Sequence, residues 1–346
     1  MRERVEGEHL IVHTGQHYDA ALSAAVMRDL DFPAVDTFLG VGSGSHGAQT
    51  AATLERFERT LLATRPDLVI VAGDVNATLA CALAGAKLSI PIAHVESGLR
   101  SHDWSMPEEI NRTLTDRLSQ VLLTHSPEAE SNLVSEGIER HRIHFVGNTM
   151  IDSLKRLLPA AARRRSWRSF DVREGQYLLV TLHRPSNVDE ERQLRSIVNA
   201  LAELRTSFPI IFPLHPRTRR RLEELDLLGV LEAHDIVCGG PAGYIDFLSL
   251  LSAAGAVITD SGGVQEETTA LGIACYTLRD NTERPITISH GTNELLGRDP
   301  ASLERVVLQP SRPTAVPLWD GLASVRAAEI LSSVFDLDRR RHALIA

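Results

Sequence analysis

The sequence predicts an α/β protein made of two doubly wound Rossmann-like domains, each a parallel sheet with helices on both faces. Three observations lead there. Short apolar runs rich in β-branched residues alternate with helical patterns along most of the chain. The length, 346 residues, is that of about two domains. The alternation breaks once, from about Leu158 to Gln176, where Arg, Ala and Ser dominate and no strand shows. We therefore expect an amino-terminal domain over 1–157, joined by a carboxyl-terminal helix at 320–346, and a second domain over 158–319.

The elements follow in order. Strands are expected at His9–Val12, Leu68–Ala72, Ile92–Val95, Val121–Thr124 and Ile143–Val146. Helices are expected between them at Ala48–Ala63, Thr78–Lys87, Glu109–Leu118 and Pro127–Ser135. Past the break, strands are expected at Tyr177–Leu182, Ile210–Leu214, Ile236–Cys238, Ala256–Thr259 and Ala274–Leu278. Helices at Glu190–Arg205, Thr218–Leu227 and Tyr244–Ala253, and another opening at Val264, separate these strands. Hydrophobic residues make up 43% of the chain, enough to build two cores.

Composition excludes several classes. A formal net charge of -9 argues against broad nucleic-acid binding. The cluster Arg163-Arg164-Arg165 reads as a solvated face. Cys81, Cys238 and Cys275 are far apart, each within an apolar run, and read as buried thiols of a reducing compartment. They lack metal-ligand spacing, so neither a metal nor a cofactor is expected. The start, Met1-Arg2-Glu3-Arg4-Val5-Glu6, is charged, and no apolar run is long enough to span a membrane. A cytoplasmic protein without membrane partners is therefore expected.

The most informative stretch is Asp260-Ser261-Gly262-Gly263-Val264-Gln265-Glu266-Glu267. A buried strand, Ala256–Thr259, runs into small residues and then a helix. Free backbone N–H groups at the positive end of a helix dipole make an anion site, usually for phosphate. Glu267 lies about one turn further in, within reach of sugar hydroxyls. An ordinary capped turn would look the same locally. Ligands of open parallel sheets sit beyond the carboxyl ends of the strands. There the sequence places Asp74, His94 and Glu96, His183 and Arg184, His215 and Arg217, and Asp260 and Ser261. Any one of them could be a cap or a surface group, but their recurrence at strand ends argues for a site. Glu108 and Glu109 begin a helix after Pro107, where the dipole favours acids, and Glu109 can pair with Arg112.

Several motifs then match a known family. They are His94-Val95-Glu96-Ser97-Gly98-Leu99-Arg100, Met106-Pro107-Glu108-Glu109-Ile110-Asn111-Arg112, Gly147-Asn148-Thr149, Thr181-Leu182-His183-Arg184-Pro185, Leu214-His215-Pro216, Thr259 to Glu267, and Arg279-Asp280-Asn281-Thr282-Glu283-Arg284-Pro285. From about Gly15 to Gly297 the chain resembles the non-hydrolysing UDP-N-acetylglucosamine 2-epimerases. Hydrolysing relatives carry His-Ile-His-Gly-Gly-Glu where this chain has His94 to Arg100. The resemblance implies the glycosyltransferase B fold and a UDP-sugar held in an interdomain cleft. It also implies a homodimer and no cofactor. The implied chemistry is elimination of UDP across C1–C2 to 2-acetamidoglucal, then re-addition with C2 protonated from the other face.

By the same resemblance Asp74, Glu96, Glu108 and His215 are catalytic. Ser261, Gly262, Gly263 and Glu267 hold UDP, and Arg112, His183, Arg184 and Asn148 contact substrate. Gln16 and His17 match contacts to a second, activating nucleotide sugar. The alternatives are an epimerase of another UDP-2-acetamido sugar, a hydrolysing enzyme, or an inactive nucleotide-sugar-binding relative. Two departures stand out. Ser186 replaces a Glu common in the family. The family's opening strand and its Gly-Thr-Arg-Pro-Glu loop have no counterpart, so unpaired backbone, exposed apolar surface and weakened activity are expected in the amino-terminal domain.

Overall fold

A computed structural model describes residues 8–16, 29, 32–240, 242–312 and 314–343, with backbone alone for 335–343. The chain divides into two compact units. Unit 1 takes in 8–16, 32–152 and 317–343; unit 2 takes in Asp29 and 153–316. The division falls inside a helix, Thr149–Arg164. That helix crosses much of the stretch read from sequence as a break. Its apolar residues Ile151, Leu154, Leu157, Leu158 and Ala161 recur at helical spacing, and Leu154 and Ala161 are fully buried.

Unit 1 holds a parallel sheet of β3 (Val69–Ala72), β4 (Ile92–Ser97), β5 (Val121–Thr124) and β6 (Ile143–Phe145), in that order. Val69, Val71 and Ile92 pack on Phe57 and Leu61 of helix His46–Thr64 and on Cys81 to Ala84 of helix Asn76–Lys87. Ala93, Val95, Val121 and Leu123 face the opposite way, onto Ala327 and Leu331 of helix Ala323–Ala343. The alternation of strand residues between the two clusters is the period of two that a doubly wound sheet requires. The carboxyl-terminal segment is locked on by Trp319, whose indole N–H donates to the His125 carbonyl at 3.0 Å. Gly147 lets it approach: its φ is +91°, and a Cβ there would strike the Leu318 carbonyl.

A short pair, β1 (Val12–His13) and β2 (Thr37–Phe38), forms a separate parallel sheet. Strand β2 was not read from sequence; two residues carry too little pattern. Among the described residues β3 has one ladder partner, β4, and Ile70 on it is 42% exposed.

Unit 2 is a six-stranded parallel sheet in the order β12-β11-β10-β7-β8-β9. The strands are β7 (Leu178–Thr181), β8 (Ile210–Pro213), β9 (Val237–Gly239), β10 (Ala256–Thr259), β11 (Cys275–Thr277) and β12 (Asn293–Leu295). Strand β12, with Asn293 and Glu294 in it, lacks the apolar run that marks the others. Both faces are covered: Leu178, Val180 and Ile258 point into one core, Tyr177, Leu179 and Val257 into the other. The order runs outward in opposite directions from β7 and β10, so the topological switch point lies between them.

Candidate active site

At the switch point of unit 2 the loops after β7 and β10 are tied together by Asp260. Its buried carboxylate accepts the backbone N–H groups of His183 at 3.1 Å and Arg184 at 3.0 Å, and the Asn187 amide at 3.1 Å. His183 Nδ1 lies 3.1 Å away. Burial works against the charge, but His183 and these donors hold the carboxyl below its ordinary value. Asp260 thus shapes the loop that presents His183 and Arg184.

Helix Gly262–Leu271 begins there. Its N-cap, Ser261, makes no side-chain cap bond. The first-turn N–H groups have no partner within a helix, so those of Gly262 and Gly263 are available to an anion. Gly262 admits its surroundings only because it lacks a Cβ, which would meet the Arg284 guanidinium and the Glu283 carboxylate. Arg184 stands by as a cation, its Nε donating to the Asp260 carbonyl at 2.9 Å.

One turn further in, Glu267 accepts the Tyr244 hydroxyl at 2.7 Å. Burial is the main cause of its raised pKa, with Glu266 adding repulsion, and the carboxyl is pushed up to about 7. His215 caps helix Pro216–Glu224: its Nδ1 accepts the Arg217 N–H at 3.2 Å, so a neutral ring carries its proton on Nε2. The His215 and His183 rings stand 5.5 Å apart.

Unit 1 assembles the other group. Strands β3 and β4 are neighbours, with Ala72 opposite Val95, so Asp74 and Glu96 follow adjacent strand ends. Strand β4 runs two residues further than expected and carries Glu96 within a register shift, at φ +67°. Arg112, on helix Pro107–Leu118, donates to Asp74 at 2.6 Å and to Glu109 at 3.0 Å. Glu108 lies one turn before it on that helix. Asn111 donates to the Asp74 carbonyl at 2.9 Å. So Asp74 and Glu96 come together at one end of the unit 1 sheet, and Glu108 opens the helix whose Arg112 reaches Asp74.

Several residues expected to contact substrate or activator make bonds within the protein. Arg112 is buried, and its two amino groups are engaged by Asp74 and Glu109. Gln16 is buried, and its amide oxygen accepts the Ala77 N–H at 2.6 Å. It thereby caps helix Asn76–Lys87, whose own N-cap residue, Val75, offers no side-chain bond. His17 lies outside the described residues. Asn148 is buried, with its Oδ1 accepting the Met150 N–H at 2.8 Å and its Nδ2 without a partner among the described residues. Tyr244 and Asp116 were missed. An aromatic at a helix start and an acid inside a helix read as core and surface, and only contacts distant in sequence give them roles. Glu283 and Arg284 lay in a matched motif without an assigned role.

Among the described residues no group of three or more His, Cys, Asp or Glu is placed to hold a metal ion, and no helix is long and apolar enough to cross a membrane. Cys81 and Cys275 are buried, which pushes their thiols up to about 12 and about 11; Cys238 is half-buried.

A helix end suited to an anion at the switch point of one parallel sheet, with carboxylates at the end of a second, fits an α/β enzyme that acts on a nucleotide-linked substrate. Comparison with known proteins makes this particular. A family model described as UDP-N-acetylglucosamine 2-epimerase matches residues 1–332, and the chain belongs to that family, whose members are isomerases. It is 42% identical over 331 residues to the UDP-N-acetylglucosamine 2-epimerase of Methanocaldococcus jannaschii, covering 93% of this chain and 90% of the relative. It is 41% identical over 335 residues to UDP-2,3-diacetamido-2,3-dideoxy-D-glucuronate 2-epimerase of Pseudomonas aeruginosa, covering 94% and 91%. The crystal structure of the M. jannaschii enzyme in complex with UDP-GlcNAc and UDP superposes with a TM-score of 0.89 at 40% identity, covering 96% of this chain and 93% of that one.

Proposed function

We propose that this chain is a non-hydrolysing 2-epimerase that interconverts UDP-N-acetylglucosamine and UDP-N-acetylmannosamine. The C2 proton is removed, the C1–O bond to UDP breaks, and 2-acetamidoglucal forms. UDP then re-adds at C1 while C2 takes a proton on the opposite face. A proton that is not acidic must leave one face and another arrive on the other, so more than one positioned acid or base is needed. Asp74, Glu96 and Glu108 serve in these roles, with His215 donating or accepting at Nε2. Gly262 and Gly263 hold the diphosphate through backbone N–H groups, Ser261 and Arg184 flank it, and Glu267 accepts the ribose hydroxyls. His183 and Asn148 contact the substrate, and Arg112 acts through Asp74.

The observation that carries this reading is the placing of Asp74 and Glu96 at adjacent strand ends, with Asp74 clamped by Arg112 from the helix that also carries Glu108. Incubation with UDP-N-acetylglucosamine in deuterated water, followed by proton NMR, tests it. A new UDP-N-acetylmannosamine anomeric signal with deuterium at C2 is expected. Free N-acetylmannosamine would mean hydrolysis, and an unchanged spectrum would mean a binding protein.

A second substrate has a specific basis. The P. aeruginosa relative, named for a diacetamido glucuronate, matches as well as the N-acetylglucosamine enzymes do. Running both UDP-sugars side by side separates the two readings by kcat/KM. We further infer a cytoplasmic homodimer, checked by light scattering of the purified chain and by fractionation. Gln16 and His17 are proposed to bear on activation by a second nucleotide sugar. A Gln16→Ala variant that kept full activation would remove Gln16 from that role.

A further inference from the structure

Unit 1 contains a buried charge network that the proposed chemistry does not use. His94 sits inside β4 with a side chain 0% exposed. Its Nδ1 lies 2.6 Å from Asp116 Oδ1 and its Nε2 lies 2.8 Å from the Gly73 carbonyl oxygen. A carbonyl oxygen can only accept. Asp116 accepts as well: its other oxygen takes the Gly98 N–H at 3.1 Å and Arg100 at 2.8 Å. An ionised carboxylate is acceptor only. Both ring nitrogens therefore have to donate. Arg100 is in turn held by both oxygens of Glu136, at 2.6 and 2.8 Å. With the ring charged, two cations face two anions and the network closes. With the ring neutral, buried Asp116 would keep only Arg100, a cation it shares with the more exposed Glu136.

We propose that His94 is a positioning residue, a buried imidazolium that ties the loop carrying Asp74 to the strand end carrying Glu96. This rests on the reading of Asp74 and Glu96 as reacting groups. The ring grips the carbonyl of Gly73, the residue before Asp74. Through Asp116 it also holds Gly98, two residues past Glu96. Between them the backbone follows a course that needs holding: Gly73, Glu96 and Gly98 all have φ near +70 to +80°, at 68°, 67° and 81°. For Glu96 that is a conformation L residues avoid. The charged groups that face the ring are Asp116, from helix Pro107–Leu118, and Glu96, from its own strand; Arg100 and Glu136 lie beyond Asp116. Burial is the largest effect and opposes the imidazolium charge, but Asp116, the Gly73 carbonyl and Glu96 together outweigh it, so the ring's pKa is raised.

The test uses the full chain. With nitrogen-15 histidine labelling, His94, assigned by its loss in His94→Gln, should show both nitrogens protonated at pH 7.5. A neutral tautomer at pH 7.5 would overturn the proposal. That result does not depend on catalysis, so it also stands if the protein turns over no UDP-sugar. In His94→Gln we expect kcat to fall on the order of tenfold or more while UDP binding is unchanged. The acid limb of the kcat/KM profile should move to higher pH, because Glu96 loses a neighbouring positive charge. Asp116→Asn should move the limb in the same direction. An unmoved pH profile and unchanged kcat in His94→Gln would show that His94 only fills space. If His94→Gln fails to fold, the labelling result on the unsubstituted protein, assigned instead by its coupling to Asp116→Asn, decides.

Discussion

Unit 1 and the Glu267 site of unit 2 handle buried carboxylates in opposite ways. In unit 1 Asp116 faces His94 and Arg100, and Asp74 and Glu109 share Arg112. In unit 2 Glu267 has a neutral phenol, Tyr244, and a like charge, Glu266. The same chain shows what a cation would have done. Glu283, also buried in unit 2, faces Arg279 at 2.6 Å and Arg284, and despite burial these hold its carboxyl far below the usual range. Fixed charge suits groups that must stand at one place through a reaction. A carboxylate left without a cation has acceptor capacity for something that arrives later, such as the hydroxyls of a sugar.

The hardest way to break the comparison is to remove the shared cation of unit 1. Arg112→Leu would leave Asp74 and Glu109 without their counter-charge, and Glu109 is almost wholly buried. Breaking a buried pair from one side costs roughly 3–5 kcal/mol. Urea unfolding followed by tryptophan fluorescence should show a loss of that size. A loss under about 1 kcal/mol would mean that solvent reaches the pair far better than its burial indicates.

Glu267 offers the contrary experiment. Its carboxyl titrates near 4.5 unfolded and at about 7 in the fold. Between those values the folded state keeps a proton that the unfolded state has released, so stability is fully present below pH 4.5 and declines as pH rises to 7. The shift is worth on the order of 3 kcal/mol. Unfolding of the unsubstituted protein and of Glu267→Gln at pH 5 and pH 8 measures it. The substituted protein should lose this slope. Parallel pH dependences in the two proteins would mean that Glu267 is ionised in the fold across the range.

A third experiment sharpens the functional side of the comparison. Asp74→Asn, Glu96→Gln and Glu108→Gln should each lower turnover by about a hundredfold or more, the usual scale for a positioned acid or base. UDP affinity, which we assign to unit 2, should stay put in calorimetry. Near-normal rates in two of the three would take the chemistry away from these carboxylates.

Much of this was legible in the sequence, for a physical reason. Nine strands announce themselves as apolar β-branched runs because parallel sheets bury both faces, while of the expected His9–Val12 only Val12 is strand, in β1; the site follows from asking what comes after each strand. Asp74, Glu96, His183, His215 and Ser261 are found that way. What stayed hidden depends on distance in sequence. Gln16 caps a helix 61 residues away, and Arg112 reaches 38 residues back to Asp74. Neither bond leaves a local pattern, and the ligand roles of both residues came from the resemblance alone. Strand β12 was missed because its buried Asn293 satisfies itself through Thr277, Gln265 and Thr287 instead of being apolar.

The smallest effect, and the most local, concerns Gly262. Its φ lies in the ordinary helical range, so a methyl group there creates no backbone strain. The obstacle is the neighbour: the new Cβ would run into the Arg284 guanidinium and the Glu283 carboxylate. Arg284 is itself held by Glu266 at 3.0 Å and by Glu283, so it cannot swing aside freely. The helix start has to shift instead, and its N–H groups then miss the phosphate positions. Losing one well-aimed hydrogen bond to a charged group costs about 1.5–3 kcal/mol, and partial misalignment should cost the lower end, about a tenfold weaker UDP affinity. Calorimetry of UDP binding to Gly262→Ala measures it, with Gly229→Ala as control, since nothing crowds that glycine. Should Gly262→Ala bind UDP as tightly as the unsubstituted protein, the diphosphate does not sit at this helix end. The contrast between a unit that holds charge and a unit that receives it would then have to be drawn elsewhere.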